Sequence, residues 1–375
     1  MNPFELKRAI IDTARGVGFE KVGFARAQLD EEAPHLAEWL HRGYHGEMRW
    51  MERDPLRRTD AGRILPGTQT LVCCALNYYQ GPPEPLPGRG VISSYARGRD
   101  YHGVLQQKLQ VVAEFVESTC DVPTKLYVDT GPVLEKSYAA AAGLGWTGKH
   151  SNLISQDGSS WFFLGEILVP LELPADTPAD ERCGTCTRCI EACPTDAIVE
   201  PYVVDSRLCI SYLTIELRES IPRELRRGIG ERIYGCDDCQ DVCPWNRFAK
   251  KSEERAFFPR EPLASMDLVA MLGMSREQFM DATRGSAIRR ARYPSFVRNV
   301  AVALGNRGDS AAVLPLIAAL EHQEPLVREH VAWALGTLGD ERASQPLVRR
   351  LDVETIAPVR EELVWALERL DVHLG

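Results

Sequence analysis

The chain has 375 residues, a length that usually folds into two or three domains. Hydrophobic residues make up 44% and charged residues 26%, as in average soluble proteins, which excludes a disordered or collagen-like chain. Lysine and arginine number 44 against 53 acidic residues, so the net charge is −9. That balance excludes a basic coat over the whole chain and leaves room for a local basic patch.

The longest apolar stretch, residues 161–173, is interrupted by Glu166 and Pro170 and is shorter than the roughly 18 residues that a membrane span needs. The first 19 residues mix acidic and basic side chains with apolar ones and contain no signal-peptide cleavage site. We therefore expect a cytoplasmic protein with no membrane segment and no secretion signal.

The first 170 residues alternate helix-type and strand-type patterns. Residues 1–25 contain an amphipathic helix, with Phe4, Ile10, Ala14 and Val17 near one face, followed by a strand at 21–25. This alternation predicts an α/β domain over residues 1–170. Further strands are predicted at 70–76 and 125–128, and further helices at 103–118 and 133–144.

Residues 170–182 are acidic and proline-rich, which predicts an extended connector. Near the other end, VAVALG at 300–305 recurs as VAWALG at 331–336 and, without the glycine, as LVWAL at 363–367. A period of 31 to 32 residues is typical of stacked helix pairs of the HEAT kind. The fold class is therefore a multi-domain α+β or α/β protein. The predicted domains are 1–170, a cysteine-rich domain at 171–255 and a helical repeat domain at 256–375.

Eight of the eleven cysteines lie between positions 183 and 243. The first four follow the bacterial ferredoxin spacing Cys-x2-Cys-x2-Cys-x3-Cys-Pro, in which the fourth cysteine binds the other of two clusters. The later set keeps the same ending, with its first cysteine displaced upstream. We predict two [4Fe–4S] clusters, one on Cys183, Cys186, Cys189 and Cys243 and the other on Cys193, Cys209, Cys236 and Cys239.

Paired Cys-x2-Cys elements also suit structural zinc, but zinc does not require the continuation to x3-Cys-Pro that occurs twice here. Cys73, Cys74 and Cys120 lie outside the pattern and are expected to be small buried side chains. Two clusters imply one-electron transfer. The chain contains no phosphate-binding loop and no Gly-x-Gly-x-x-Gly between a strand and a helix, so it gives no sign of a nucleotide cofactor.

Several motifs together resemble those of the epoxyqueuosine reductase family, in the same order and over nearly the whole chain. The resemblance implies a cobalamin-dependent enzyme with two [4Fe–4S] clusters and an external electron donor. It implies reduction of the epoxide of epoxyqueuosine in the anticodon stem-loop of tRNA, the last step of queuosine biosynthesis. The motifs are YHGEM (44–48), SYARGRDYH (94–102), VDTGPVLE (128–135), AGLGWTGKHSN (142–152), CISYLTIE (209–216) and YGCDDCQ (234–240).

The resemblance also implies site residues. Asp129 ends a predicted strand before Gly131 and Pro132, and its match to the family's acid implies a protonated carboxyl acting as general acid; alternatively, it is a turn or cap residue. Asp100-x-His102-x-x-Leu105 nearly meets a cobalamin-binding pattern but lacks its glycine, as expected for a family without a histidine ligand to cobalt. The predicted cofactor-binding residues are Arg57, Arg97, Asp129, Lys149, His150, Ser151, Asn152, Ser211 and Tyr212, with Tyr101 and His102 as further pocket candidates.

The glycine-rich stretch 143–152 is predicted to let the backbone approach the flat macrocycle of cobalamin; the alternative is a helix C-cap followed by a loop. Six arginines and no acidic residue occur between positions 284 and 307. This basic segment predicts contacts to tRNA phosphates through Arg289, Arg290, Arg292 and Arg298, unless it is simply a solvated face.

Two other functions remain open on the sequence alone. A corrinoid iron–sulfur reductase of the reductive dehalogenase kind would share the cofactors but act on a small molecule, and the C-terminal repeats argue against it. A ferredoxin-like electron carrier with a protein-binding repeat tail would bind iron but no cobalamin, so cofactor content distinguishes it.

Overall fold

The structure, a computed structural model, describes residues 1–82 and 88–372 of the chain. By their contacts these residues form two units, and the chain passes between them several times. The first unit comprises residues 1–82, 98–207 and 237–258, and the second comprises the described residues of 83–97, 208–236 and 259–375. Residues of the predicted cysteine-rich domain, 171–255, are thus distributed over both units.

The helices and strands follow the chain from an N-terminal α-helix to the C-terminal repeats. No helix of residues 1–82 and 88–372 combines the length and the apolar character of a membrane span. In chain order the elements are α1 (Pro3–Gly16), β1 (Lys21–Arg26), α2 (Glu32–His41), β2 (Thr70–Asn77), β3 (Val91–Ile92), α3 (Tyr101–Cys120), β4 (Lys125–Tyr127), α4 (Glu135–Ala141), β5 (Trp146–Thr147), β6 (Leu153–Ile154), β7 (Phe162–Val169), α5 (Arg188–Glu191), β8 (Ile198–Glu200), β9 (Val203–Val204), α6 (Ile210–Ile215), α7 (Arg223–Ile229), β10 (Arg232–Tyr234), α8 (Asp238–Asp241), α9 (Leu268–Leu272), α10 (Arg276–Ala282), α11 (Tyr293–Arg307), α12 (Val313–Ala319), α13 (Pro325–Leu338), α14 (Ser344–Val353) and α15 (Ala357–Arg369). Short 3-10 helices cover Arg49–Met51, Pro55–Arg58, Ala61–Arg63, Ser94–Ala96, Pro244–Phe248, Arg255–Phe257, Ala287–Ala291, Ser310–Ala312 and Glu341–Ala343.

A four-stranded sheet with the order β1-β2-β7-β4 forms the centre of the first unit, and all of its pairings are antiparallel. In the middle of β7, Glu166 lies opposite Cys73 of β2 and Tyr127 of β4. Asp129 follows β4, as predicted. In open α/β proteins, ligands bind at the carboxyl edge of a parallel sheet. This sheet is antiparallel, so that rule does not explain the position of Asp129.

The predicted helices and strands of this unit are confirmed, with α1 ending at Gly16. A capping box closes the first turn of α1: the Asn2 side chain accepts backbone hydrogen bonds, and the Glu5 side chain accepts one from Asn2. The helix packs through Leu6, Ile10 and Ala14. The placement of Phe4 on the buried face was wrong, because its side chain is 73% exposed.

Stacked helix pairs form the C-terminal part of the second unit, as the repeat predicted. Helix α13 packs between α11 and α15. A Cβ added to Gly305 would lie 2.9 Å from the Cα of Ala334, and one added to Gly336 would lie 2.7 Å from the Cα of Ala366. The repeated glycine therefore permits the close approach of consecutive helices.

Candidate active site

Asp129 occupies a tight turn between β4 and α4. Its φ of 57° is in the left-handed region, which aspartate tolerates better than most residues with a side chain. Its backbone N–H donates to the carboxylate of Glu135, the first residue of α4. Gly131 fits against the Tyr127 ring, where a Cβ would come within 2.4 Å of a ring carbon. The turn leaves the side chain of Asp129 58% exposed.

The first turn of α3 supplies the partners of Asp129. Asp100 caps this helix by accepting the backbone N–H of His102. The imidazole of His102 bridges two carboxylates, with Nδ1 2.6 Å from Asp100 Oδ1 and Nε2 3.3 Å from Asp129 Oδ2. The Tyr101 hydroxyl also donates to Asp129. Sequence reasoning included Tyr101 and His102 in the pocket but did not identify them as partners of Asp129.

The charges of this site are set by these contacts. Burial opposes ionisation of Asp129, but hydrogen bonds from His102 and Tyr101, helped by the charge of Lys136, outweigh it and lower the pKa of Asp129. Burial also disfavours the imidazolium of His102, yet hydrogen bonds to Asp100 and Asp129 raise the pKa of His102 to about 9. At neutral pH the proton therefore lies on His102. The lowered pKa of Asp129 argues against the expectation that Asp129 itself carries the proton.

Lys136 links the Asp129 turn to the predicted cofactor loop. Its Nζ donates to Asn152 Oδ1 over 2.6 Å. Ser151, with a φ of 60°, turns the chain before Asn152, whose backbone N–H donates to Nδ1 of His150. Burial, together with the charge of Lys136, lowers the pKa of His150 to about 4, so the ring is neutral. The structure thus brings His150 and Asn152 to the side of Asp129.

Two of the buried polar atoms that lack a hydrogen-bond partner among the described residues belong to predicted cofactor-binding residues. One is Nε2 of His150, whose side chain is buried. The other is Nε of Arg57. The neighbouring Arg58 carbonyl accepts the backbone N–H of Leu134, the residue before α4, so this segment lies against the start of that helix. Buried polar atoms of this kind usually bind water or a ligand. The predictions that His150 and Arg57 bind a cofactor agree with this.

Lys149 lies in the same loop but points elsewhere. Its Nζ donates to the carbonyl oxygens of Gly184, at 2.6 Å, and Cys186, at 3.1 Å. Lys149 therefore supports the first cysteine loop, and its contact with the cofactor stays a prediction.

The glycines of the stretch 143–152 also have a different role from the predicted one. A Cβ on Gly145 would lie 2.1 Å from the Ile154 carbonyl oxygen, and one on Gly148 would lie 2.5 Å from the Ile154 side chain. The β5–β6 hairpin itself therefore occupies the space beside both glycines. Packing within the protein accounts for both glycines without a macrocycle.

Three of the predicted cofactor residues belong to the second unit. Arg97 Nε donates to the Ile92 carbonyl over 2.9 Å, and Tyr212 is buried in α6 beside Ser211. A cofactor role for Arg97, Ser211 and Tyr212 stays a prediction.

Four cysteines of the first unit face one another. Burial raises the pKa of Cys243, and charge interactions with Cys183, Cys189 and Cys186 raise it further, which places the four thiols close together. None of the cysteines in the described chain forms a disulfide. No three His, Cys, Asp or Glu side chains in residues 1–82 and 88–372 are arranged for a single metal ion, and a cubane keeps its ligands farther apart.

The other four predicted ligands are divided between the units. Cys193 and Cys239 lie in the first unit, and Cys209 and Cys236 lie in the second. Cys193 Sγ accepts the backbone N–H of Ala197. The second cluster on these four cysteines stays a prediction.

The basic segment of the second unit contains two kinds of arginine. Arg298 is fully buried, and its guanidinium donates to the carbonyl oxygens of Leu213 and Leu217 at 2.7 and 3.1 Å. The prediction that Arg298 binds tRNA is wrong, because α11 turns this side chain into the core. Arg290 forms a bidentate ion pair with Glu216. Arg289 and Arg292 are exposed.

Comparison with known families identifies three parts of the chain. Residues 58–130 match the family model described as "Epoxyqueuosine reductase QueG, DUF1730". Residues 182–246 match a 4Fe-4S double cluster binding domain, and residues 283–368 match HEAT repeats. The cysteine block and the helical repeats thus coincide with the predicted iron–sulfur and repeat regions.

Individual relatives agree with these models. The epoxyqueuosine reductase of Escherichia coli K12 is 45% identical over 320 residues, which is 84% of each chain. That of Vibrio cholerae is 43% identical over 334 residues, covering 87% of this chain and 90% of the relative.

Solved structures of epoxyqueuosine reductases have the same fold. A crystal structure with a tRNA-Tyr epoxyqueuosine-modified stem loop superposes with a TM-score of 0.94 at 29% identity, covering 99% of this chain and 100% of the other. The Bacillus subtilis enzyme, with its catalytic aspartate loop swung out of the active site, gives a TM-score of 0.92 at 29% identity and covers 98% of this chain and 100% of the other.

Proposed function

Because the chain belongs to the epoxyqueuosine reductase family, we propose that it reduces epoxyqueuosine to queuosine in the anticodon stem-loop of tRNA, with cobalamin and two [4Fe–4S] clusters as cofactors. The observation that carries the proposal is the Asp129 site, where an exposed carboxylate is hydrogen-bonded to a charged imidazole. An epoxide that loses its oxygen as water needs a proton at that oxygen, and the hydrogen-bonded pair of His102 and Asp129 can supply this proton.

The residues around Asp129 fit cobalamin. His150 Nε2 and Arg57 Nε have no hydrogen-bond partner among the described residues and could bind a large polar ligand, although Arg57 Nε also lies 4.0 Å from Asp54 Oδ2. His102 is held by two carboxylates and is thus unsuited to bind cobalt, in agreement with a family that lacks a histidine ligand. We propose that Arg57, His150, Ser151 and Asn152 hold the cofactor. When bound, cobalamin supplies a reducing cobalt centre for opening the epoxide.

The protein's own residues handle the protons. Reduction of the epoxide to the alkene consumes two electrons and two protons and releases water. Asp100 fixes the His102 ring, and His102 holds a proton on the hydrogen bond to Asp129. As the carbon–oxygen bond breaks, His102 gives this proton to Asp129, which passes it to the departing oxygen. The second proton, which completes the water molecule, comes from solvent through the exposed Asp129 side chain. Asp129 is the catalytic residue, and His102 acts through it.

Two clusters bound by the eight cysteines would pass electrons one at a time from an external donor. The close approach of Cys243 to Cys183, Cys186 and Cys189 supports the proposed exchange of ligands between the two ferredoxin motifs. For tRNA, the exposed Arg289 and Arg292 are the proposed phosphate contacts.

Anaerobically prepared protein provides the test. We expect about eight iron atoms per chain, saturable cobalamin binding, and conversion of an epoxyqueuosine-containing stem-loop in a single turnover. Cys243→Ser should damage the cluster held by Cys183, Cys186 and Cys189. Fully loaded protein that leaves the stem-loop unchanged would refute the function, and iron with no cobalamin would indicate an electron carrier. A lesion confined to the other cluster would refute the ligand assignment.

A further inference from the structure

Next to the Asp129 turn, two carboxyl groups contact each other. Glu166, in the middle of β7, is fully buried, and neither of its oxygens meets a donor among the described residues. Helix α4, which begins with Glu135, packs on β7, and the Glu135 carboxyl interacts with that of Glu166 through charge and a hydrogen bond. Two carboxylates cannot hydrogen-bond to each other, so this contact requires a proton on one of them.

The surroundings of this carboxyl pair favour the shared proton. From the neighbouring elements, Asp129, Cys73, Cys74 and Tyr138 interact with the pair, and none of them carries a positive charge. Lys136 is the cation that acts on Glu135. Burial and the charge of Asp129 raise the pKa of Glu135 to about 8, and burial raises the pKa of Glu166 well above its ordinary value.

The pair is connected directly to the catalytic turn. Glu135 uses its Oε1 to accept the backbone N–H of Asp129. Asp129 has a φ of 57°, and a left-handed conformation outside glycine persists only where the surroundings hold it. This hydrogen bond ties the strained residue to the first turn of α4.

We propose that Glu135 and Glu166 are positioning residues: a proton on Glu166, shared with Glu135, keeps Glu135 in place to hold the backbone of Asp129 and thus its carboxylate beside His102. This role rests on the proposed function, in which Asp129 acts on the epoxide. Loss of the shared proton places two negative charges in contact beside Asp129. The pair then separates, and the turn is released.

The first experiment uses full-length holoenzyme without tRNA. Infrared spectroscopy should show a protonated carboxyl band at neutral pH, because burial raises the pKa of both carboxyls. Glu135→Gln and Glu166→Gln should both lack this band, whereas the control Glu114→Gln, on the exposed face of α3, should retain it. A band that is unchanged in both pair variants would overturn the shared proton.

The second experiment measures how well the Glu135 carboxyl protects the backbone N–H of Asp129. Glu135→Leu removes the acceptor, so amide exchange at Asp129 should become about tenfold faster. Single-turnover conversion should slow by about 10²-fold, as expected when a catalytic group is displaced. Glu135→Gln keeps a carbonyl acceptor and should preserve slow exchange.

Wild-type exchange and conversion in Glu135→Leu would overturn the positioning role. If this variant does not fold, slow exchange at Asp129 combined with the lost infrared band in Glu135→Gln supports the proposal, and fast exchange overturns it. Exchange and infrared spectra need no substrate. A wild-type enzyme that fails to convert the stem-loop would therefore refute the proposed function separately from the carboxyl pair.

Discussion

The Asp129 site of the first unit and the basic segment of the second unit use charge in opposite ways. Asp129 is paired with His102 yet keeps its side chain 58% exposed. Arg298 is fully buried, with every nitrogen of its guanidinium donating within the unit. The first arrangement leaves a charged group available to a ligand, and the second uses a charged group to stabilise the fold.

The difference shows that a charged residue in a sequence pattern is only a candidate for binding. Both residues were predicted to act on tRNA, one on the modified base and one on the phosphates. Backbone carbonyl oxygens that lack other donors, as around Arg298, recruit an arginine into the core. An exposed turn, as at Asp129, leaves the side chain outside. The following predictions test this contrast.

The largest effect is expected for Asp129→Asn. The amide cannot transfer a proton, so single-turnover conversion should fall by about 10²- to 10⁴-fold, while cobalamin, iron and tRNA binding persist. Chemically reduced enzyme is used, because this isolates the chemical step from the electron donor. Asp121→Asn is the matched control: it too is an exposed aspartate with positive φ, at the end of α3. A near wild-type rate for Asp129→Asn would remove Asp129 from the mechanism, and loss of cobalamin would make it a cofactor-positioning residue.

Arg298→Met should destabilise the second unit by about 3 kcal/mol. The substitution fills similar volume but leaves the carbonyl oxygens of Leu213, Leu217 and Glu219 without their charged donor. Denaturant unfolding measures the effect, with Arg289→Met as control at within about 0.5 kcal/mol of wild type. Equal stability of both variants would contradict the structural role of Arg298.

Removal of Arg289 and Arg292 together should have a smaller effect, on tRNA binding. Each lost phosphate contact reduces the release of counterions, so affinity should fall about tenfold at low salt and its salt dependence should flatten. Arg290→Ala should change the slope less, because Glu216 already neutralises Arg290. Filter binding over a salt series measures this, and an unchanged slope in the double variant would place the tRNA contacts elsewhere.

Features set by recurring motifs were predicted from the sequence. The two ferredoxin endings predict that Cys243 groups with Cys183, Cys186 and Cys189, although it lies far from them along the chain, and the 31-residue repeat predicts the helix pairs. A motif of known geometry carries this information even where its parts are separated in the sequence.

Features set by distant contacts were missed. His102 and Asp129 are 27 positions apart, and Glu166 is further along the chain, so only the folded sheet and the start of α3 bring them together. In the sequence, Glu166 is an acid that interrupts an apolar run. That interruption was the one signal of the carboxyl pair, since an acid in a buried strand requires a partner or a proton.

The central claim is that the proton for the epoxide is stored on His102 beside an ionised Asp129. Nitrogen-15 NMR of the labelled His102 imidazole tests it directly. The account predicts an imidazolium at pH 7 that loses its proton near pH 9, and a lower midpoint in Asp129→Asn, because a raised pKa requires the carboxylate. A neutral His102 ring at pH 7 in the wild-type protein would contradict the account.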